Sequence, residues 1–192
     1  MAGRATVLLG LLRDKKPVVG AEVGVQAGDT SIQLLKGLPS LKRLYCVDAW
    51  RWYPEYDHDR CPTDKTGGRW PDQELLDAAR ETFLRRMIAG GFQARVVMMP
   101  MFSVDAAEQV ADASLDFVFL DANHSYEFVR QDIELWRPKV RRGGLLAGHD
   151  YRNLHNPRWG VTEAVGEAFP QGVSVGDDFT WWVWNHDGRG GE

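Results

Sequence analysis

Ala21-Glu22-Val23-Gly24-Val25-Gln26-Ala27-Gly28 runs out of an apolar, β-prone segment into a glycine-spaced loop, and Asp48 closes the next apolar run, Leu44 to Asp48. Glycine lets backbone approach a ligand where a Cβ would clash, and a carboxylate at the tip of a neighbouring strand can accept both hydroxyls of a ribose. The two pieces in this order predict a nucleotide-like cofactor pocket at the ends of adjacent strands.

The β-prone runs of the chain lie at Val18 to Gly24, Leu44 to Asp48, Ala94 to Met99, Leu115 to Asp121 and Gly144 to His149. Helical patterns separate them. Asp72 is placed to cap a helix with Leu75, Ala79, Phe83 and Met87 on one stripe, ended by Gly90-Gly91. A second helix begins near Ser125, carries Val129, Ile133 and Trp136 on its apolar stripe, and is stopped by Pro138 with Gly143-Gly144. Alternating strands and helices, with nearly all-apolar strands, imply a parallel sheet covered on both faces. At the end of the chain, Val173 to Val175 and Phe179 to Trp184 flank Gly176-Asp177-Asp178, which predicts an antiparallel hairpin at the sheet edge.

The 192 residues, 44% hydrophobic and 11% aromatic, fit one domain spanning 1–192. Twenty-three Lys and Arg against 27 Asp and Glu give a net charge of -4, which offers no electrostatic reason to expect nucleic acid and favours a small-molecule partner. The apolar run Ala5 to Leu12 is too short for a membrane span or secretory signal, so the expectation is a soluble, cytoplasmic protein, compatible with a homo-oligomer. Cys46 and Cys61 form neither a disulfide framework nor a zinc spacing. The stretch 51–70 breaks the alternation with Trp52, Tyr53, Tyr56, His58, Cys61 and Trp70 among prolines and glycines, and reads either as a lid or substrate cap or as a surface loop.

In an open parallel sheet, ligands bind beyond the carboxyl ends of the strands. Those ends deliver Glu22, Gly24 and Gly28, then Asp48, the segment Met99 to Ser103, Asp121, and His149-Asp150. With Val47-Asp48-Ala49-Trp50, the block Leu115-Asp116-Phe117-Val118-Phe119-Leu120-Asp121-Ala122-Asn123-His124-Ser125-Tyr126 and the block Gly143-Gly144-Leu145-Leu146-Ala147-Gly148-His149-Asp150, the whole chain resembles the class I S-adenosylmethionine-dependent methyltransferases, small-molecule O-methyltransferases in particular. The resemblance implies a doubly wound, Rossmann-like α/β fold. Its mostly parallel seven-stranded sheet would end in a C-terminal antiparallel hairpin, with the seventh strand between the fifth and sixth.

The resemblance also implies S-adenosyl-L-methionine as cofactor. Glu22, Gly24, Val25 and Gly28 would hold its methionine end and Asp48 its ribose, with Ala49, Trp50 and Ser103 around the adenine and Asp121 beside them. A sulfonium leaves as a neutral thioether, so the protein has to align the reactants and remove the acceptor's proton. Two devices suit that task. One is a histidine base, with His149 first and His124 second. The other is a divalent cation such as Mg²⁺, for which the likeness to catechol-type and caffeoyl-coenzyme A-type enzymes indicates Asp121 and Asp150, with Asn123 or His149 as third ligand. Arg51, Arg152, His155 and Trp159 flank these positions. Phenols or sugars suit the aromatic residues Trp52 to Tyr56 and Trp181-Trp182. Two alternatives stand beside this reading. A nicotinamide-dependent oxidoreductase lacks its middle glycine here, because position 26 is Gln, and a non-catalytic binding domain would have little use for the unpaired carboxylates Asp121 and Asp150 at strand ends.

Overall fold

The computed structural model describes residues 3–53, 73–153 and 159–186. Its parallel strands are β1 (Val19–Val23), β2 (Arg43–Val47), β3 (Val96–Met99), β4 (Leu115–Leu120) and β5 (Val140–Gly148), followed by β6 (Ser174–Val175) and β7 (Trp181–Trp184). The helices are α1 (Arg4–Leu12), α2 (Asp29–Gly37), α3 (Gln73–Ala89), α4 (Ser103–Glu108), α5 (Tyr126–Trp136) and α6 (Val161–Ala168). All seven strands share one sheet in the order β3-β2-β1-β4-β5-β7-β6, with β7 antiparallel to both β5 and β6. The order reverses between β1 and β4, which opens a crevice at their carboxyl ends.

Alternate side chains of the strands feed two cores. Phe117 and Phe119 join Leu145 and Ala147 on the face covered by Leu8 and Leu12 of α1, Leu34 and Leu35 of α2, and Phe83 and Met87 of α3. Val118, Leu120 and Leu146 face the other way, against Ala106 and Ala107 of α4, Val129, Ile133 and Trp136 of α5, and Val161 and Val165 of α6. Burial on both faces explains why the central strands read as continuous apolar runs. At the start of β4, Asp116 accepts the backbone N–H of Val18 at 2.6 Å and of Val19 at 2.8 Å, and the Arg141 guanidinium at 2.6 Å, which ties β1 and β5 to it.

Three local expectations need correction. Gly143-Gly144 does not stop the helix before it; a short 3-10 turn over Arg137–Lys139 does, and both glycines lie in β5, where the pairing with β4 skips between Leu115 and Phe117. Gly143 takes a positive φ of 74° there, and a Cβ on Gly144 would meet the Asp116 carbonyl at 2.8 Å. Leu75 is 40% exposed, because the start of α3 lies off the core, which the helix meets at Ala79, Phe83 and Met87. Trp181 is a core residue, its indole filling the space over Gly148, so the Trp181-Trp182 pair is no acceptor platform. Of the proposed lid, 54–70 lies outside the described residues, as do Asp72 and His155. No helix among the described residues is long and apolar enough to cross a membrane.

One carboxyl lies inside the α1–α2–α3 core. Glu22 of β1 is 2% exposed, receives the Ser31 hydroxyl of α2, and has Cys46 as a neighbour of that hydroxyl at 3.6 Å. Burial pushes its pKa from 4.5 up to about 8, opposed by the Ser31 hydrogen bond and by the nearby Arg4. A folded pKa above the unfolded value means that the protonated fold is the stable one, so this contribution is complete below about pH 4.5 and is lost as pH rises through about 8. The melting temperature of the wild type is expected to fall between about pH 5 and 9 more steeply than that of Glu22→Gln, and parallel curves in a pH series of thermal melts would refute the assignment. A second test concerns packing. A Cβ on Gly20 would collide with the Phe117 ring, so Gly20→Ala is expected to cost about 1–3 kcal/mol in urea unfolding, and adding Phe117→Leu is expected to recover part of that loss.

Candidate active site

The parallel ladder continues one residue past four strands. Gly24 N–H donates to the Val47 carbonyl at 2.8 Å, Asp48 to Met99 at 3.2 Å, Asp121 to Val23 at 2.8 Å, and His149 to Leu120 at 3.1 Å. Asp48, Asp121 and His149, with Glu22 and Gly24, therefore stand at one level around a cavity of about 1130 Å³. Gly24, at φ 91°, is indispensable to this arrangement: a Cβ there would overlap the Asp121 carbonyl.

Asp48 organises the glycine loop. One carboxylate oxygen accepts the N–H groups of Val25 at 3.0 Å and Gln26 at 2.8 Å, and the other accepts Trp50 N–H at 2.8 Å. Burial raises its pKa, and these three backbone donors counter the rise. Each oxygen accepts up to two hydrogen bonds, so the one bonded only to Trp50 keeps a lone pair for a ligand hydroxyl. Val25 and Ala49 line the cavity. Trp50 does not: at φ 42° it turns its ring inward, bonds the Gln26 carbonyl through Nε1 at 2.8 Å, and packs on Phe83 with ring centroids 5.5 Å apart. Gly28 also faces away. It starts α2 at φ 81°, and a Cβ on it would lie 2.6 Å from the Phe83 ring, so its smallness serves packing.

Ser103, at the start of α4, lines the cavity with its hydroxyl already engaged. It donates to Asp132 at 2.5 Å and accepts Trp136 Nε1–H at 2.7 Å, leaving no side-chain proton for a ligand. Asp132 was not foreseen. It is buried on α5 and also reaches the cavity, with its pKa pushed up to about 7 by burial against the opposing Ser103 hydrogen bond. The sequence signal for it is an acid inside the apolar stripe Val129, Ile133, Trp136.

The remaining strand ends meet in a cluster of Asp121, His124 and Asp150, whose donor atoms all lie within 4.8 Å of one another. His124 Nε2 is 2.8 Å from Asp150 Oδ2 and 3.6 Å from Asp121 Oδ1, and His149 Nδ1 is 3.1 Å from Asp150 Oδ2. Despite those distances, neither buried imidazole nitrogen has a partner in hydrogen-bonding direction. Burial alone would raise the Asp150 pKa, but the two imidazoles outweigh it and hold the carboxyl well below the usual range. Two carboxylates and an imidazole nitrogen that converge without a well-directed hydrogen bond between them are a donor set that fits a divalent cation. Asn123 is committed elsewhere, its amide to the Tyr53 hydroxyl and its carbonyl to Ser125 N–H, both at 2.8 Å, and Tyr151 is buried in the core. Among the described residues it is His124, not Asn123 or His149, that completes the cluster with the two carboxylates.

Around the cluster, Trp159 stacks on His124 at 4.1 Å, and Tyr53 packs edge-on against Phe102 at 5.3 Å and beside Phe128 at 5.8 Å. Arg51 lies over Phe102 at 5.4 Å. These aromatic residues line the same cavity. From the opposite side, Arg4 of α1 reaches the Asp121 carboxylate.

A family model described as a methyltransferase domain matches residues 21–151, from β1 through the cluster. Among solved structures the chain is similar to the O-methyltransferase NovP (18% identity, 93% of this chain and 79% of that one, TM-score 0.69). It is also similar to an O-methyltransferase from Bacillus cereus in complex with SAH (15%, 94% and 80%, TM-score 0.64). A third is TomG from Streptomyces achromogenes, involved in tomaymycin synthesis and in complex with SAM (16%, 95% and 79%, TM-score 0.64). At such identities these three speak for the fold. No curated protein matches the sequence. The family match, the strand order with β7 inserted beside β5, and the glycine loop with its strand-end acids place the chain in the class I S-adenosylmethionine-dependent methyltransferases.

Proposed function

We propose that this methyltransferase O-methylates a small hydroxylated acceptor, a phenol or a sugar, with the help of a divalent cation. The observation that carries the reading is the convergence of Asp121, His124 and Asp150 on the cavity that Asp48 and the glycine loop also face. Gly24, Val25 and Glu22 suit the methionine end of the cofactor, where its ammonium group gives Glu22 a cationic partner. Asp48 offers its free lone pair to a ribose hydroxyl. Ala49, Ser103 and Asp132 border the adenine. Tyr53, Phe102, Phe128 and Trp159 supply ring faces for the acceptor.

The cation would be held by Asp121, His124 and Asp150, and would supply acidity to an acceptor hydroxyl. His149, adjacent in sequence to Asp150 and lining the same cavity, takes the hydroxyl proton on an imidazole nitrogen. When bound, the cofactor would supply the methyl group: the O–C bond to the acceptor would form as the C–S bond breaks, the cofactor leaving as a neutral thioether. Alignment of the two reactants by the cavity walls contributes about 7–11 kcal/mol where near-attack geometry is reached.

Calorimetric titration with S-adenosylmethionine, with NADH as control, is expected to show saturable binding of the sulfonium compound alone, lost in Asp48→Ala. Preference for NADH would overturn the cofactor assignment. With an acceptor in hand, His149→Ala is expected to lower kcat by about 10²–10⁴-fold at nearly unchanged cofactor affinity. Equal loss of both would assign His149 to binding. A chelator and Asp150→Ala are expected to produce the same loss of turnover, and full activity after chelation would leave the chemistry to the base.

A further inference from the structure

Arg4 is the one charged residue of α1 and stands in its first turn. A cation there opposes the helix macrodipole, and no acid in that turn compensates it. Its partner is distant in sequence: the guanidinium donates to Oδ2 of Asp121, whose Oδ1 faces His124. The rest of α1 is fixed by Ala5, Leu8 and Leu12, all buried, whereas the Arg4 side chain is 42% exposed and the Asp121 side chain 8%. Arg4 can therefore swing to water without moving the helix, while Asp121 has no such freedom.

We propose that Arg4 is a tethered counter-cation that competes with the divalent ion for Asp121 and so sets the affinity of the Asp121–His124–Asp150 cluster. This rests on the metal reading above. Asp121 and Asp150 together carry two negative charges, which a divalent ion balances. With the guanidinium still on Asp121 the buried site would hold an excess positive charge, which a low-dielectric setting penalises. One carboxylate thus serves Arg4 or the ion, and each weakens the other by the same factor.

The test is calorimetric titration of Mn²⁺ into the wild type, Arg4→Gln and Asp121→Asn without cofactor. Arg4→Gln is expected to bind Mn²⁺ about tenfold more tightly than the wild type, and Asp121→Asn to lose binding. In the unaltered protein, phenylglyoxal is expected to modify Arg4 faster when Mn²⁺ is saturating, read by peptide mass spectrometry. Equal or weaker Mn²⁺ binding in Arg4→Gln, or Arg4 labelling indifferent to Mn²⁺, overturns the competition while leaving the metal site standing. Absence of Mn²⁺ binding in both the wild type and Arg4→Gln, or undiminished binding in Asp121→Asn, overturns the metal site and the competition together.

Discussion

The row of backbone hydrogen bonds that carries the parallel ladder one residue beyond its strands governs the rest of the site. Gly24, Asp48, Asp121 and His149 each donate to the neighbouring strand at 2.8–3.2 Å, so their heights are set by main chain and not by loops. The contact is close enough that β1 and β4 tolerate no side chain between them at Gly24. Pairing rules that build the sheet also level the floor of the cavity, which is the physical content of the preference for ligands at strand ends.

On that floor the chain concentrates carboxyl groups and solves each one differently. Glu22 is kept protonated by burial at neutral pH. Burial also raises the Asp48 pKa, with three backbone donors opposing the rise, whereas at Asp150 two imidazoles reverse it. Asp132 is pushed to the middle of the physiological range beside the Ser103 hydroxyl. Asp121 alone takes its partner, Arg4, from a helix at the far end of the chain. The net charge of -4 is small, yet these five carboxyl groups all line one crevice.

Much of this was legible in the sequence because its signals were local. Runs buried on both faces marked the central strands, Ser125 marked the start of α5, and the strand-end rule brought Asp48, Asp121 and Asp150 to one edge. What stayed hidden depended on distance or on backbone turns. Trp50 looks like a cavity wall by adjacency to Asp48, yet a positive φ sends it into the core. Gly143-Gly144 reads as a helix stop, but close approach to β4 explains the second of the pair. Arg4 lies 117 residues from Asp121, a pairing no local pattern announces. His124 became a ligand candidate only once the direction of its ring was known.

Helix α5 joins two ends of the cavity by covalent structure. The loop before it bears Asp121 and His124, and its second turn bears Asp132, bonded to Ser103. At about 1.5 Å per residue, the helix acts as a ruler of fixed length between the cation cluster and the Ser103 wall. A single inserted residue would rotate Asp132 by about 100° and bring it off that wall. The span between the cluster and that wall is therefore set by main chain, whatever side chains line the rest of the cavity.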